Sequence, residues 1–187
     1  MDDKAGRISV CARPSSNIFI DPHKNSRTTT TASRHHAALL MTDTPKNDFQ
    51  FGARVDVEVG AAFDAGVLFL KIDETHWAKL CFEYSAHLKP MVVSVVNKGG
   101  TSDDANAFLV DGKQVKLRIS HKHGVFAFHA ANNDEAWTLV RIFAFDVDDE
   151  GLQIGFEAQS PNTDGCKVTF SAYTLTDVSL EDFRNGR

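Results

Sequence analysis

Asp48-Phe49-Gln50-Phe51-Gly52-Ala53-Arg54-Val55-Asp56-Val57-Glu58-Val59 is the stretch whose pattern decides the fold. Phe49, Phe51, Ala53, Val55, Val57 and Val59 fall on one side of an extended chain, and Asp48, Gln50, Arg54, Asp56 and Glu58 fall on the other. Successive strand side chains point to opposite faces, so period two over this length is a strand with one face in a core. Outward from it, similar runs cover 66–72, 77–84, 91–97, 107–110, 115–120, 125–130, 138–145, 153–159 and 167–173. Asp73-Glu74-Thr75, Lys89-Pro90, Gly99-Gly100, Asp111-Gly112, His123-Gly124, Asn132-Asn133-Asp134 and Asp164-Gly165 supply turn chemistry between them. Toward the N-terminus, shorter strands fit 7–12 and 17–20.

About a dozen strands at spacings near ten residues, with no amphipathic helical segment between them, predict an antiparallel sandwich or jelly roll. The 14 Phe against three Met agree with a core of rigid, sheet-favouring side chains. No linker or repeat divides the 187 residues, so one β-sandwich domain spanning 1–187 is expected. Its regular core covers about 48–173, residues 21–47 are loop-rich with four consecutive threonines, and 174–187 form a tail. In that tail Ser179 with Asp182 resembles a capping box for one helical turn through Phe183.

A net charge of -5 without a basic stripe argues against non-specific nucleic-acid binding, which needs cations to displace phosphate counterions. No apolar run approaches the roughly 20 residues that span a bilayer. Met1-Asp2-Asp3-Lys4 opens acidic and lacks an apolar signal core, so a cytoplasmic location is expected. Cys11, Cys81 and Cys166 are odd in number and form no C-x-x-C pair, so reduced, mostly buried thiols are expected, with no disulfide framework and no zinc site. The absence of a phosphate-binding glycine loop, a dinucleotide fingerprint and a Gly-x-Ser-x-Gly elbow leaves no cofactor or nucleophilic-hydrolase signal.

Several blocks carry a family resemblance. Phe63-Asp64-Ala65-Gly66-Val67-Leu68, Trp77-Ala78-Lys79-Leu80-Cys81-Phe82-Glu83-Tyr84, Val93-Ser94-Val95-Val96 and Ser102-Asp103-Asp104-Ala105-Asn106 resemble a family of uncharacterised bacterial and fungal proteins that includes the yeast regulation-of-enolase protein. Phe126-Ala127-Phe128-His129-Ala130, Trp137 and Gly155-Phe156-Glu157-Ala158-Gln159-Ser160-Pro161 continue it, in order, over about 7–173. The resemblance implies an all-β, concanavalin A-like jelly-roll β-sandwich of two antiparallel sheets, of the lectin/glucanase type, and no established activity. Fold alone does not carry function.

Alternation along 77–84 puts Trp77, Lys79, Cys81 and Glu83 on one face and Ala78, Leu80, Phe82 and Tyr84 on the other. If the first face is the concave one, Trp77 stacks on a sugar while Lys79 and Glu83 hydrogen-bond its hydroxyls. Ser94, His129, Glu157 and Gln159 are candidates to join them, and Asp103, Asp104 and Asn106 to flank them. The competing reading makes Trp77 packing and Lys79–Glu83 a structural ion pair. Hydrolysis would use Glu83 and needs a second carboxylate roughly 5–10 Å away, for which Glu157, Asp103 and Asp73 are candidates, because no Glu-x-Asp-x-Glu run exists.

Ser102 to Asn106 collects oxygen ligands of the kind calcium takes, but a solvated turn explains them without an ion, so no metal is assigned. Asp146-Val147-Asp148-Asp149-Glu150-Gly151 with Glu157 approximates an EF-hand loop, yet it lies between strands where that motif needs helices, and it reads as an acidic hairpin turn. His35-His36, His121 and His123 compose no metal set, and His129 fits a hydrogen-bonded structural role. The functional expectation is a non-catalytic module that binds a carbohydrate or small polyhydroxylated ligand. The alternatives are a protein-interaction or regulatory module and a glycoside-active enzyme. Homodimerisation by sheet extension is open at the free edges.

Overall fold

In the computed structural model, residues 6–22, 33–58, 60–132 and 136–187 are described. Val59, the four threonines, the acidic N-terminus and the Asn133-Asp134 turn lie outside them. Fourteen strands form: β1 (Arg7–Cys11), β2 (Asn17–Phe19), β3 (Arg34–His36), β4 (Ala38–Asp43), β5 (Phe49–Glu58), β6 (Ala65–Lys71), β7 (His76–Tyr84), β8 (Pro90–Lys98), β9 (Ser102–Leu109), β10 (Gln114–Lys122), β11 (Val125–Ala131), β12 (Thr138–Ala144), β13 (Gln153–Gln159) and β14 (Lys167–Thr176). Two six-stranded antiparallel sheets result, ordered β1-β14-β5-β10-β11-β12 and β4-β13-β6-β7-β8-β9, with β2 and β3 pairing separately. This is the all-β jelly-roll sandwich. Among the described residues no helix is long and apolar enough to cross a membrane.

Burial along β5 alternates as its pattern requires, with Phe49, Phe51, Ala53, Val55 and Val57 inward and their neighbours half-exposed. They meet Leu68, Leu70, Ala78, Leu80, Phe82, Ile154 and Phe156 of the second sheet in one apolar layer. Gly66 keeps the sheets close, since a Cβ there would lie 2.5 Å from Val55 Cγ1 and 2.6 Å from Val168 Cγ1.

The central strands of the second sheet are buried on both faces. Their outer face carries Ala65, Val67, Phe69, Trp77, Cys81, Met91, Val93 and Val95, which pack with Ile18 and Phe19 of β2 as a second apolar cluster. The segment Ser16 to Ile20 therefore crosses this face as a strap. Ser16 bridges Ser160 just beyond β13, through backbone bonds of 3.1 and 3.2 Å, and Ile20 N–H donates to Ser102 Oγ on β9 at 3.1 Å.

Three departures from the sequence reading follow from pairing. Residues 34–43, expected in a loop-rich stretch, form β3 and β4, because β2 and the free edge of β13 give their backbones partners. Residues 102–106, expected as a turn, begin edge strand β9. The acidic segment 146–152 is not a hairpin but an arch between sheets, since β12 and β13 belong to different ones, with Asp149 Oδ2 3.0 Å from His121 Nε2.

The C-terminal segment lies across the outer face of the first sheet. Gln50 Nε2 donates to the Val178 carbonyl (2.8 Å), Lys122 Nζ to Leu180 (3.1 Å), His129 Nε2 to Phe183 (2.7 Å) and Arg118 Nη2 to Gly186 (2.9 Å). Ser179 does not cap a helix. Its hydroxyl donates to the His121 carbonyl at 3.3 Å, and turns occupy 183–186.

Candidate functional site

Lys79 sits at the centre of β7 and points away from the main core, opposite Phe69 on β6 and Val95 on β8. It is 2 % exposed. Its ammonium donates to Asn17 Oδ1 on the strap at 3.0 Å and to Gln159 Oε1 on β13 at 2.8 Å, and lies 3.8 Å from Glu157 Oε1. Gln159 Nε2 in turn donates to the Phe63 carbonyl at 3.1 Å. This network pins the strap to the sheet. The ion pair expected between Lys79 and Glu83 is replaced by one with Glu157, which register places across the sheet from Cys81 through Val67.

Glu157 is wholly buried, and among the described residues its oxygens are faced by the Lys79 ammonium and the Ile18 N–H, neither of them in close hydrogen-bond contact. Burial pushes its carboxyl up, while the Lys79 ammonium and the facing Ile18 N–H pull it down. A buried carboxylate held by one cation at this separation is strongly dependent on that cation.

Beside the network, where the strap ends, the outer face opens into a cavity of about 300 Å³. Lys79, Glu83, Asp104, Asn106 and Gln159 line it, together with Asn17 and Phe19 of the strap, Phe63, Met91, Val95 and the turn at Ser85, Ala86 and His87. Glu83 is half-buried, and its carboxyl is pushed up to about 8, first by burial and then by Asp104, with Lys79 opposing. Solvent entering through the cavity moderates that rise. Asp104 at the exposed rim is raised as well, by burial, with Lys79 and Arg141 opposing. Phe63 holds φ at 71°, a conformation costly for a bulky residue, and its N–H donates to the Tyr84 carbonyl at 2.6 Å. That bond locks the aromatic wall beside the end of β7.

Five of the eight residues singled out for a ligand thus share one cavity: Lys79, Glu83, Asp104, Asn106 and Gln159. The other three do not. Trp77 is 3 % exposed and packs on Phe69 with ring centroids 6.0 Å apart beneath the strap, so it has no free face for a sugar. Asp103 alternates to the other side of β9, where Arg141 Nη2 lies 2.7 Å from its carboxylate. His129 is on the first sheet, under the C-terminal segment, and burial holds its imidazole below the usual range. Ser94, also considered, faces inward, 3.5 Å from Arg141 Nη1.

Alternation along β9 also undoes the calcium reading, because Ser102 and Asp104 turn to the strap side and Asp103 away from it. Among the described residues no three His, Cys, Asp or Glu side chains converge as metal ligands. Cys81 and Cys166 are buried and Cys11 is exposed. Burial pushes the Cys81 thiol well up.

Asn17, Phe19, Phe63, Met91 and Val95 are the lining residues that alternation along a single strand could not reveal. One signal was available. Val67 and Phe69 before Lys79, and Val93 and Val95 after it, put apolar side chains on its face from both flanking strands, and such a face needs a cover.

The curated relative "Regulation of enolase protein 1" of Saccharomyces cerevisiae is 30 % identical over 129 residues, which are 68 % of this chain and 64 % of that protein. The chain thus spans somewhat less than two thirds of that relative's length. A crystal structure described as a functionally unknown protein from Saccharomyces cerevisiae is similar with a TM-score of 0.76 and 24 % identity, over 94 % of this chain and 90 % of that one. A xylan β-1,4-xylosidase from Bacillus halodurans is similar at TM-score 0.69 and 14 % identity over 92 % of this chain and 33 % of its own, a likeness of fold. The two-sheet topology and these neighbours place the fold in the concanavalin A-like jelly-roll class. The model of a family described as a protein of unknown function, DUF1349, matches residues 1–178, and the chain belongs to that family.

Proposed function

We propose that the chain is a binding module for a carbohydrate or similarly small polyhydroxylated ligand, seated in the cavity between the strap and the β7–β9 side of the second sheet. The observation that carries the reading is the convergence of Glu83, Asp104 and Asn106 with the aromatic rings of Phe19 and Phe63 on one open volume of about 300 Å³. Polar groups in this number beside apolar walls give hydroxyl recognition on one side and a stacking surface on the other. The volume lies at the small end of ligand sites, which favours one or two sugar rings over a long chain. Lys79 and Gln159 are committed to each other and act by holding the wall.

A second reading, glycoside hydrolysis, draws on one specific observation: two carboxyl groups, Glu83 and Asp104, enter the same cavity, and Glu83 carries the raised pKa that a general acid needs. The name of the yeast relative favours a third, in which the module acts on a protein partner.

A glycan and oligosaccharide array probed with the purified chain, followed by product analysis, separates these readings. Binding that is lost in Asn106→Ala and in Phe63→Ala, with thermal stability checked for each, supports the module. Released sugar that disappears in Glu83→Gln promotes the enzyme. An array silent throughout removes the carbohydrate reading and leaves the partner reading, tested by co-purification with enolase.

A further inference from the structure

The charge of the cavity wall is lopsided. Glu83 on β7 and Asp104 on β9 reach it from either side of β8, whose Met91 and Val95 form an apolar strip between them. Among the described lining residues Lys79 is the only lysine or arginine. Its ammonium does not serve these two carboxylates first. It donates to Asn17 and Gln159 and faces Glu157, a fully buried carboxylate with no other charge partner among the described residues.

The remaining nearby charges do not fill the gap. Arg141 acts on Asp104 only from a distance, because it engages Asp103 on the opposite side of β9, and His87 is exposed on the turn after β7. The two carboxylates therefore meet an acidic cavity with a single, already committed cation. The upward displacement of both groups, with Asp104 as the second cause for Glu83, is what such an arrangement produces. A cationic nitrogen seated in the cavity would be paired by the carboxylate it reaches, Asp104 beside Val95 or Glu83 beside Met91, drawing the proton off the latter, and would lie near Phe19 and Phe63, whose rings attract cations in their own right.

We propose that this cavity selects, among hydroxylated ligands, those carrying a protonated amine, so that its ligand class is the amino sugars. The inference rests on the carbohydrate reading given above and narrows it.

The test is calorimetric titration of the full chain at about pH 7 with matched probes: glucosamine, galactosamine and chitobiose-derived diamine against glucose, galactose and cellobiose, with N-acetylglucosamine and a linear diamine as further arms. The amino sugars are expected to bind roughly tenfold or more tighter than their neutral parents, the worth of one charge-assisted hydrogen bond. Glu83→Gln and Asp104→Asn, both close in shape to the native residues, are each expected to lower amino-sugar affinity more than neutral-sugar affinity, so that the preference shrinks whatever either change does to the neutral sugars. If Glu83→Gln fails to fold, Asp104→Asn at the exposed rim carries the comparison alone. Equal affinity for amino and neutral sugars overturns the inference and leaves the carbohydrate reading standing. A linear diamine bound as tightly as any amino sugar overturns both, as does silence from every probe.

Discussion

Lys79 and Glu157 make the sharpest case at the scale of single residues. Replacing Lys79 with Met strands a wholly buried carboxylate and leaves the Asn17 and Gln159 oxygens without their donor. The expected loss is about 3–5 kcal/mol in urea denaturation, while Lys79→Met combined with Glu157→Leu recovers most of it, because the penalty belongs to the unpaired charge. A double variant no more stable than the single one would mean that the amide hydrogen bonds to the strap dominate. Glu83 gives a pH signature. Burial and Asp104 push its carboxyl up toward about 8, a rise moderated by solvent, so its stabilising contribution is full below about pH 4.5 and is lost as pH rises toward 8. Glu157 acts with the same sign. Wild-type stability should therefore fall relative to Glu83→Gln between about pH 5 and 8, read from denaturant midpoints. His121 and His129, both held low by burial, act in the other direction, removing stability as pH falls below about 6.5.

Strands were the most legible elements, and the reason is visible in β5 and β13. β5 has one solvated face, so its residues alternate; β13 was bounded correctly at 153–159 by turn residues on either side. β4 was missed, since Ala38-Leu39-Leu40-Met41-Thr42-Asp43 sits at an edge with both faces half-open and so shows no period. The polar face of β7 was recognised, but its exposure was not, because the cover comes from Ile18 and Phe19, some 60 residues away in sequence. A strand's own pattern reports which residues share a face and is silent about what lies on that face. β4 also offers a test. An ideal Cβ on Gly155 would stand 1.9 Å from the Leu40 carbonyl oxygen, so Gly155→Ala must push β4 off β13. Amide exchange over 38–43 should speed up while β5 to β8 stay protected, with an overall cost of about 1–3 kcal/mol. Unchanged protection there would show that β4 is held chiefly by its side chains.

Over the whole molecule, each sheet is overlaid by a crossing segment, the strap 16–20 on the second sheet and the segment 178–187 on the first. The latter is gripped through its backbone, by four side chains that each end on a carbonyl, with Leu180 buried among its contacts. Ending the chain after Asp177 uncovers His129 and Arg118 and removes these bonds, each worth about 1 kcal/mol net. The melting temperature should fall by about 5–15 °C, at roughly 2–4 °C per kcal/mol for a chain of this size, while ligand affinity at the distant cavity stays unchanged. A truncated chain that melts like the full one would show that the segment rests on the sheet without holding it.

The strap has a consequence in the time domain of synthesis. Ser16 is joined to Ser160, a partner 144 positions further along, and Asn17 waits for Gln159 by way of Lys79. At about 5–20 residues per second, a ribosome needs roughly 7–30 s to deliver that partner after Ser16 has been made. Ile18 and Phe19 lack a complete seat until Val95 has been made, and from then until residue 160 they can rest on the face of Val67, Phe69, Trp77 and Val93 only without the Ser160 anchor. Residues 16–19 are thus made well before the anchor that pins them, and the cavity they wall off is complete only once residues 159 and 160 have been made.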